Sequence, residues 1–335
     1  MLKYWLFTLL SIFVSLNLCQ AQITSEALRK HEARKAYSYR DWTKKPVFER
    51  IWAAPEFLVD YLRKDNELNG YPETPVSKKC DNLFLADLRQ ALEELPEPVK
   101  KQIRDHLVGI YTVSNLGTTG YTEILDEFEV NKTGFIVLDV DYLEKCANAW
   151  ASWKEKSPFR NQGPCRIRAT IEPKETDSRK QAIQFILTHE IGHLTGAVNH
   201  VHPDWFTGGD PKDFVFSKMS WMKQGDRVIT KFERQFPLRK EIGYYRFEKS
   251  PLSSDKILDS YRQLKETDFS SLYAATNMWD DFAETYVIYV HTVLQEKPWK
   301  IEIFENNSWV DSFESSLLHE KGRFKKKFMD HFFGR

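Results

Sequence analysis

The sequence carries no excess of charge of either sign. Its 335 residues include 48 Lys and Arg against 48 Asp and Glu, which gives a formal net charge of zero. A protein that binds nucleic acid without sequence preference needs surplus cations to replace the counterions of the phosphates. We therefore expect no nucleic-acid partner. Because 41% of the residues are hydrophobic and 14% are aromatic, the chain can form a packed core, which excludes global disorder.

Cysteine is scarce, and the sequence contains no Cys-x-x-Cys pair. This absence argues against a thiolate zinc site and against a dithiol redox motif. Cys19 belongs to the N-terminal leader described next, which leaves Cys80, Cys146 and Cys165. At least one of these must be unpaired. Cys146 and Cys165 are the closest in sequence, and we predict that they form a disulfide.

Long apolar runs are also lacking, except near the N-terminus. There the run from Trp5 to Leu18 follows Lys3 and is shorter than the ~20 residues that span a bilayer. Cys19 and Ala21 are small residues at the two positions that a signal peptidase reads. We interpret residues 1–21 as a signal peptide. The prediction is an exported protein of about 314 residues, periplasmic or extracellular, with no stable membrane span after cleavage.

Hydrophobic periodicity and chain breakers predict a mixed α+β fold. Leucines at helical spacing from Leu83 to Leu107, interrupted by prolines, indicate two helices. The run from Gly134 to Val140 is the clearest strand candidate. The stretch 157–176, which contains Pro and Gly, is interpreted as an irregular connector. The three lysines at 325–327 are interpreted as the solvated face of a helix.

One stretch carries recognisable chemistry: residues 189–193 have the form HExxH. Residues four apart lie on the same face of a helix, so His189 and His193 can point two imidazoles at one metal ion. Glu190 lies next to the first of them and can reach a water bound to that ion. The motif therefore predicts a catalytic metal site, provided that the segment is helical.

The surrounding residues favour a helix. Ser178 and Gln181 resemble a capping box at its start, and Gly196 fits the position just after its end. The positions between them are mostly apolar, so three polar groups buried there without partners would cost roughly 2–7 kcal/mol each. A bound metal ion removes that cost. We therefore predict one catalytic Zn²⁺ ion.

The third zinc ligand has to come from elsewhere in the chain, because catalytic zinc usually takes three protein ligands. Metzincins have a third His six residues after the second, but Asn199 occupies that position here. Asp280 and Glu284 are four apart in a segment that Asn277 can cap as a helix. This is the carboxylate spacing of a gluzincin, in which one carboxylate binds zinc and the other orients a ligand His.

These two blocks together resemble the catalytic domain of anthrax lethal factor and the related Pro-Pro endopeptidases. In that family the HExxH helix is followed by a Tyr, six residues, a Glu, three residues and a second Glu. Tyr273 falls at the tyrosine position, and the resemblance implies that it donates a hydrogen bond to the developing oxyanion. Asp280 falls where the family has the longer Glu. Either Asp280 or Glu284 is then the third ligand, and the spacing from Tyr273 favours Asp280.

The resemblance implies a zincin-like metallopeptidase domain with a small mixed sheet, the HExxH helix and a second ligand helix. We place this domain in residues 76–335, with an insertion at about 200–270 that either shapes substrate access or only adds packing. Residues 22–75 are predicted to form a helical N-terminal extension, and turn and breaker residues at 69–75 mark its end. The strand at 134–140 is expected to border the cleft, where an extended substrate can add as a further strand.

The sequence therefore predicts an exported zinc metallopeptidase that hydrolyses peptide bonds with a zinc-activated water and Glu190 as general base. Its partner is a peptide or protein substrate. Two alternatives stay open. One is a catalytically silent zincin-fold binding protein, which would not need Glu190, and the other is a zinc amidohydrolase acting on a non-protein, cell-wall amide.

Overall fold

The structure, a computed structural model, describes residues 26–39, 44–125 and 132–335. The predicted signal peptide, residues 1–21, lies outside these ranges. The predicted α+β class is confirmed: helices pack against a five-stranded mixed sheet and a three-stranded antiparallel sheet. Within the described ranges no helix combines the length and the apolar character needed to cross a membrane.

The larger sheet lies at the centre of the fold. Its strands are β1 (Ile51–Ala53), β2 (Val76–Ser77), β3 (Leu107–Ser114), β4 (Gly120–Ile124) and β5 (Gly134–Asp139). The order is β1-β3-β5-β4, with β2 paired to the end of β3. Strands β1, β3 and β5 are parallel, whereas β4 runs antiparallel to β5, its only partner strand in the described residues. Strand β4 therefore forms an edge of the sheet.

The helices cover both faces of this sheet. They are α1 (Glu56–Asn69), α2 (Asn82–Glu93), α3 (Glu97–His106), α4 (Ala147–Lys156), α5 (Arg179–Val198), α6 (Ile257–Leu264), α7 (Met278–Tyr289) and α8 (Arg323–Phe332). The two helices predicted between Leu83 and Leu107 are confirmed as α2 and α3. The chain breaks between them at Pro96, the N-cap of α3, because proline lacks the N–H that a continuous helix needs.

The sheet separates two hydrophobic cores. Ile136 and Leu138 of β5 face the core that contains α2, α3 and α5, whereas Phe135 and Val137 face the core that contains α1. Alternate residues of a strand point to opposite faces, so a strand covered on both sides needs apolar residues throughout. This explains why the strand predicted from Gly134 is a continuous apolar run.

The described part of the predicted N-terminal extension is joined to this sheet. It is helical in α1, which ends at Gly70 with a φ of 73°, as the turn residues there indicate. It also contributes strand β1, whose residues pair in parallel with β3. Leu58 and Leu62 of α1 share a core with Val137 of β5.

Two smaller β structures complete the fold. Strands β6 (Cys165–Thr170), β9 (Lys300–Glu305) and β10 (Ser308–Glu314) form the second sheet in the order β10-β9-β6, and β7 (Trp221–Gln224) and β8 (Arg227–Thr230) form a hairpin. The prediction of an irregular connector over 157–176 is therefore wrong at β6. There, exposed Arg166 and Arg168 alternate with buried residues in the period of a half-buried strand, a pattern that the flanking Pro and Gly obscured.

Two further predictions are wrong because of side-chain direction. The predicted Cys146–Cys165 disulfide does not form: all three cysteines in the described residues are unpaired, with Cys146 exposed at the start of α4 and Cys165 buried as the first residue of β6. Lys325 is not on a solvated face. It is fully buried on α8 together with Met329, four residues on, and its Nζ lies 2.6 Å from Oδ1 of Asp281.

Candidate metal centre

The HExxH motif lies on a helix, as its spacing requires. Helix α5 is buried over most of its length. It starts directly after Ser178, the predicted N-cap, but differs from the prediction in two details. The Ser178 side chain makes no capping hydrogen bond, and the helix continues past Gly196 to Val198. Gly196 is instead a point of close approach, because a Cβ there would lie 2.6 Å from Nε2 of His202.

The second predicted helix is α7, and it crosses α5 at the motif. The Asn277 side chain caps it by accepting hydrogen bonds from the N–H groups of Trp279 and Asp280. The two backbones approach closely at Gly192, where a Cβ would lie 3.0 Å from Cα of Ala283. This close approach brings the short Asp280 side chain to the two histidines.

Three predicted ligand atoms converge between these helices. The Nε2 atoms of His189 and His193 are 3.1 Å apart. Oδ1 of Asp280 lies 3.3 Å from Nε2 of His193 and 3.7 Å from Nε2 of His189. The other oxygen, Oδ2, accepts hydrogen bonds from Asn277 (2.5 Å) and Thr276 (3.1 Å), which turns Oδ1 toward the imidazoles.

This spacing fits a tetrahedral metal ion. With metal–ligand bonds of about 2.0–2.1 Å, the edges of a tetrahedron measure about 3.3–3.4 Å, close to the three observed separations of 3.1, 3.3 and 3.7 Å. The chemistry of the donors also fits, since imidazole nitrogen and carboxylate oxygen are common zinc ligands. His189, His193 and Asp280 could therefore hold one metal ion.

The negative charge of Asp280 suits a metal ligand. Burial alone would raise the pKa of its carboxyl group, but the hydrogen bond and charge of His193, with a smaller contribution from His189, hold the pKa below its usual range. The group is therefore an anion at neutral pH. A metal ligand has to be deprotonated.

Glu284 lies behind His189, on the side away from the three converging atoms. Its Oε1 is 2.9 Å from Nδ1 of His189, although the N–H does not point straight at the oxygen. The same oxygen accepts a hydrogen bond of 3.0 Å from Nζ of Lys154, and Oε2 accepts one of 2.6 Å from Ser271. Burial would raise the pKa of Glu284, but Lys154 and His189 together hold it far below its usual range.

Glu190 points from α5 toward the edge strand β4. Its Oε2 accepts a hydrogen bond of 2.6 Å from the Thr122 hydroxyl. Its Oε1 packs against Gly120, where a Cβ would lie only 2.5 Å away. The expectation that the strand at 134–140 borders the cleft is therefore wrong. Its hydrogen bonds on both sides are taken by β3 and β4, and it is β4 that lines the cleft.

Tyr273 packs against His189, one of the three predicted ligands. Its ring stacks on the His189 imidazole with centroids 5.6 Å apart and an angle of 20°. Burial, reinforced by the Asp280 carboxylate, raises the pKa of its hydroxyl well above the usual range. The hydroxyl therefore stays protonated at neutral pH and can donate a hydrogen bond.

The predicted insertion at 200–270 contacts this centre at several points. Tyr244 packs against Tyr273 with ring centroids 4.5 Å apart. The Tyr245 hydroxyl lies 3.1 Å from that of Thr119, the residue before β4. Tyr245 has a φ of 61°, an uncommon conformation for a residue with a side chain. No local sequence pattern predicts that Tyr245 contacts Thr119 or that Lys154 contacts Glu284.

A cleft of about 560 Å³ opens onto the three ligand atoms. Its walls are β4, the end of α1 and the loop that contains Trp205 and Phe206 of the insertion. Asp65 and Glu123 also line it, and none of the described lining residues is Lys or Arg. The cleft is thus open and is bordered by the edge strand β4.

No family model, no curated protein and no solved structure matches the chain.

Proposed function

We propose that this protein is a zinc-dependent endopeptidase of the zincin type. In this proposal His189, His193 and Asp280 hold the ion, and Glu284 orients His189. The observation that supports it most is the convergence of three ligand atoms at tetrahedral spacing, next to the Glu190 carboxylate and in an open cleft. The sequence resemblance to the lethal factor and Pro-Pro endopeptidase family points the same way.

Zinc bound at these residues supplies a Lewis acid that acidifies water and polarises a substrate carbonyl. Glu190 acts as the general base. The Thr122 hydroxyl holds its Oε2, so the carboxylate is oriented and Oε1 accepts the proton. The same residue then returns the proton to the leaving amine, a type of catalysis that contributes about 10²–10⁴ in rate.

Tyr273 donates a hydrogen bond to the oxyanion that forms on the substrate carbonyl. Its raised pKa keeps the donor proton in place at neutral pH. Stacking on His189 and packing against Tyr244 restrain the ring. One such donor is typically worth about 10²–10³ in rate.

Strand β4 is the docking edge for an extended peptide. An edge strand presents unpaired backbone N–H and C=O groups, and a peptide that adds to it as a further strand gains hydrogen bonds without a specific side chain. Gly120 and Thr122 on this strand contact Glu190 directly. A peptide lying along β4 would therefore pass in front of the base, which favours a peptide over a cell-wall amide as substrate.

The replacement of the family's Glu by Asp280 is compatible with this function. Asp is one methylene shorter, so α7 has to lie closer to α5. The absence of a side chain at Gly192 and the small Ala283 permit that approach. We further propose that the protein acts after export, on the basis of the leader-like sequence at residues 1–21.

The test is cleavage of a denatured protein and of a peptide library by the purified protein. We expect one zinc per chain, cleavage that stops when a chelator is added, and a Glu190→Gln variant that keeps its zinc but loses at least about 10²-fold in kcat. Undiminished cleavage by Glu190→Gln would refute the assignment of the base. Release of amines from cell-wall fragments only would indicate the amidohydrolase, and zinc binding without any hydrolysis would indicate the silent binding protein.

A further inference from the structure

We propose that Lys154 is a positioning residue of the metal centre, which anchors Glu284 so that Glu284 fixes the tautomer and orientation of His189. The inference rests on the proposed function, because it concerns the same centre. It adds a residue from α4, a helix that carries none of the predicted site residues.

The contact geometry forms a continuous chain. Nζ of Lys154 donates to Oε1 of Glu284 over 3.0 Å, and that oxygen lies 2.9 Å from Nδ1 of His189. The three residues come from α4, α7 and α5. The side chains of Lys154 and Glu284 are only 4% and 1% exposed, so the pair is shielded from solvent.

A purely structural explanation accounts poorly for this pair. Burying a lysine and a glutamate costs several kcal/mol per ion, and apolar residues of similar volume often stabilise a fold equally well or better. The Nζ of Lys154 also lies within cation–π range of the Trp150 and Tyr244 rings, but the carboxylate that it contacts is that of Glu284. The charge is therefore better explained by what Glu284 does than by stability.

The consequence for His189 follows from hydrogen bonding. An imidazole that faces an anion with Nδ1 carries its proton there, and its Nε2 lone pair is then directed to the opposite side. In this structure that side holds His193 and Asp280. Without Lys154, Oε1 of Glu284 would lose its ammonium donor and only Ser271 would hold the carboxylate, through Oε2. Nδ1 of His189 would then face a less firmly placed acceptor, and the imidazole would lose its defined orientation and tautomer.

Lys154 also contacts the second predicted catalytic group. Its Nζ lies 4.5 Å from the centroid of the Tyr273 ring, within the range of a cation–π interaction. One ammonium group therefore restrains both His189, through Glu284, and Tyr273 directly. This predicts that loss of Lys154 affects zinc affinity and turnover together.

The chain contains a matched control. Lys325 is fully buried and pairs with Asp281 of α7 at 2.6 Å, one residue after Asp280. Like Lys154, it is a buried lysine bound to a carboxylate of that helix. Asp281, however, hydrogen-bonds to Trp221 and not to a histidine of the metal centre. If Lys154 had a merely structural role, replacing either lysine should lower the stability of the fold and leave the zinc affinity of the folded protein similar.

The experiment compares Lys154→Met and Lys325→Met by zinc competition with a chromophoric chelator. Replacing a residue that holds a metal ligand in place typically weakens metal binding about 10–100-fold, and we expect zinc affinity to fall by that factor in Lys154→Met. Lys325→Met should lower the melting temperature but leave the zinc Kd of the folded protein within about threefold of wild type. Equal zinc affinities of the two variants would overturn the inference.

A second variant covers the case in which Lys154→Met does not fold. In Glu284→Gln/Lys154→Met both charges are removed, so no uncompensated ion is buried. The zinc Kd of the double variant should lie within about threefold of that of Glu284→Gln alone, because Lys154 acts through the charge of Glu284. If the double variant bound zinc a further ~10-fold more weakly, Lys154 would not act through Glu284.

A spectroscopic measurement separates this inference from the proposed function. Imidazole ¹⁵N shifts of the metal-free protein should show His189 as the Nδ1–H tautomer in wild type and as a mixture in Lys154→Met. If the wild-type protein binds no zinc, the proposed function fails while this result still decides the role of Lys154. If the wild-type protein binds zinc and the tautomer is unchanged in the variant, only the role of Lys154 is refuted.

Discussion

Replacing Gly120 by alanine adds one methyl group between strand β4 and the proposed general base. The new Cβ would lie 2.5 Å from Oε1 of Glu190 and 3.0 Å from its Cδ and Cγ. Ordinary contacts of a Cβ begin at 3.4 Å, so the carboxylate has to move by about 0.9 Å. That shift strains the hydrogen bond from Thr122, which measures 2.6 Å.

The expected effect is on turnover and not on folding. Gly120 has an ordinary strand conformation, and the atom that must give way is the end of a side chain. A misplacement of about 1 Å at a reacting group can cost ~10² in rate. We therefore expect kcat to fall about 10²-fold, with zinc stoichiometry unchanged and the melting temperature within a few degrees of wild type.

The assay is steady-state cleavage of a fluorogenic peptide, together with metal analysis and thermal unfolding. The control is Gly120→Ala in the Glu190→Gln background. There the extra methyl group should change the residual rate less than about threefold, because the base is already lost. Full kcat in Gly120→Ala would show that Glu190 does not act from this position.

Four further substitutions test the other parts of the site. Tyr273→Phe should lower kcat about 10²–10³-fold with little change in KM, and an unaltered kcat would exclude an oxyanion role. Asp280→Ala should abolish zinc retention in metal analysis, whereas Glu284→Ala should weaken it only ~10–100-fold; the opposite order would make Glu284 the ligand. Gly192→Ala should separate α5 from α7, since its Cβ would lie 3.0 Å from Cα of Ala283. We expect weaker zinc binding and lower thermal stability, and a variant equal to wild type in both would contradict the close-packing argument.

The features that could be predicted from the sequence are those with a local cause. The helix around His189 and the helix capped by Asn277 follow from spacing and from one capping side chain, and both are present in the structure. The break at Pro96 and the apolar strand from Gly134 are equally local. In each case the residues that specify the element lie within a few positions of it.

The errors concern contacts with distant parts of the chain. Gly196 looks like a helix end but makes room for His202, and Lys325 looks solvated but pairs with Asp281. Cys146 and Cys165 are near in sequence, yet one is exposed and the other buried. A local pattern contains no information about which surface another segment will cover.

The balance of charges already argued against a nucleic-acid partner, and the hydrophobic and aromatic content already indicated a folded chain. The HExxH motif and the Asp280–Glu284 spacing, read from the sequence, identified the residues that come together at the candidate centre. The tertiary structure alone decided which carboxylate approaches the two imidazoles and which lies behind His189. It also brought Lys154 to Glu284, 130 positions away, and Thr122 to Glu190, 68 positions away. Such pairs depend on how helices and strands pack, and packing is specified by the whole core and not by any one segment.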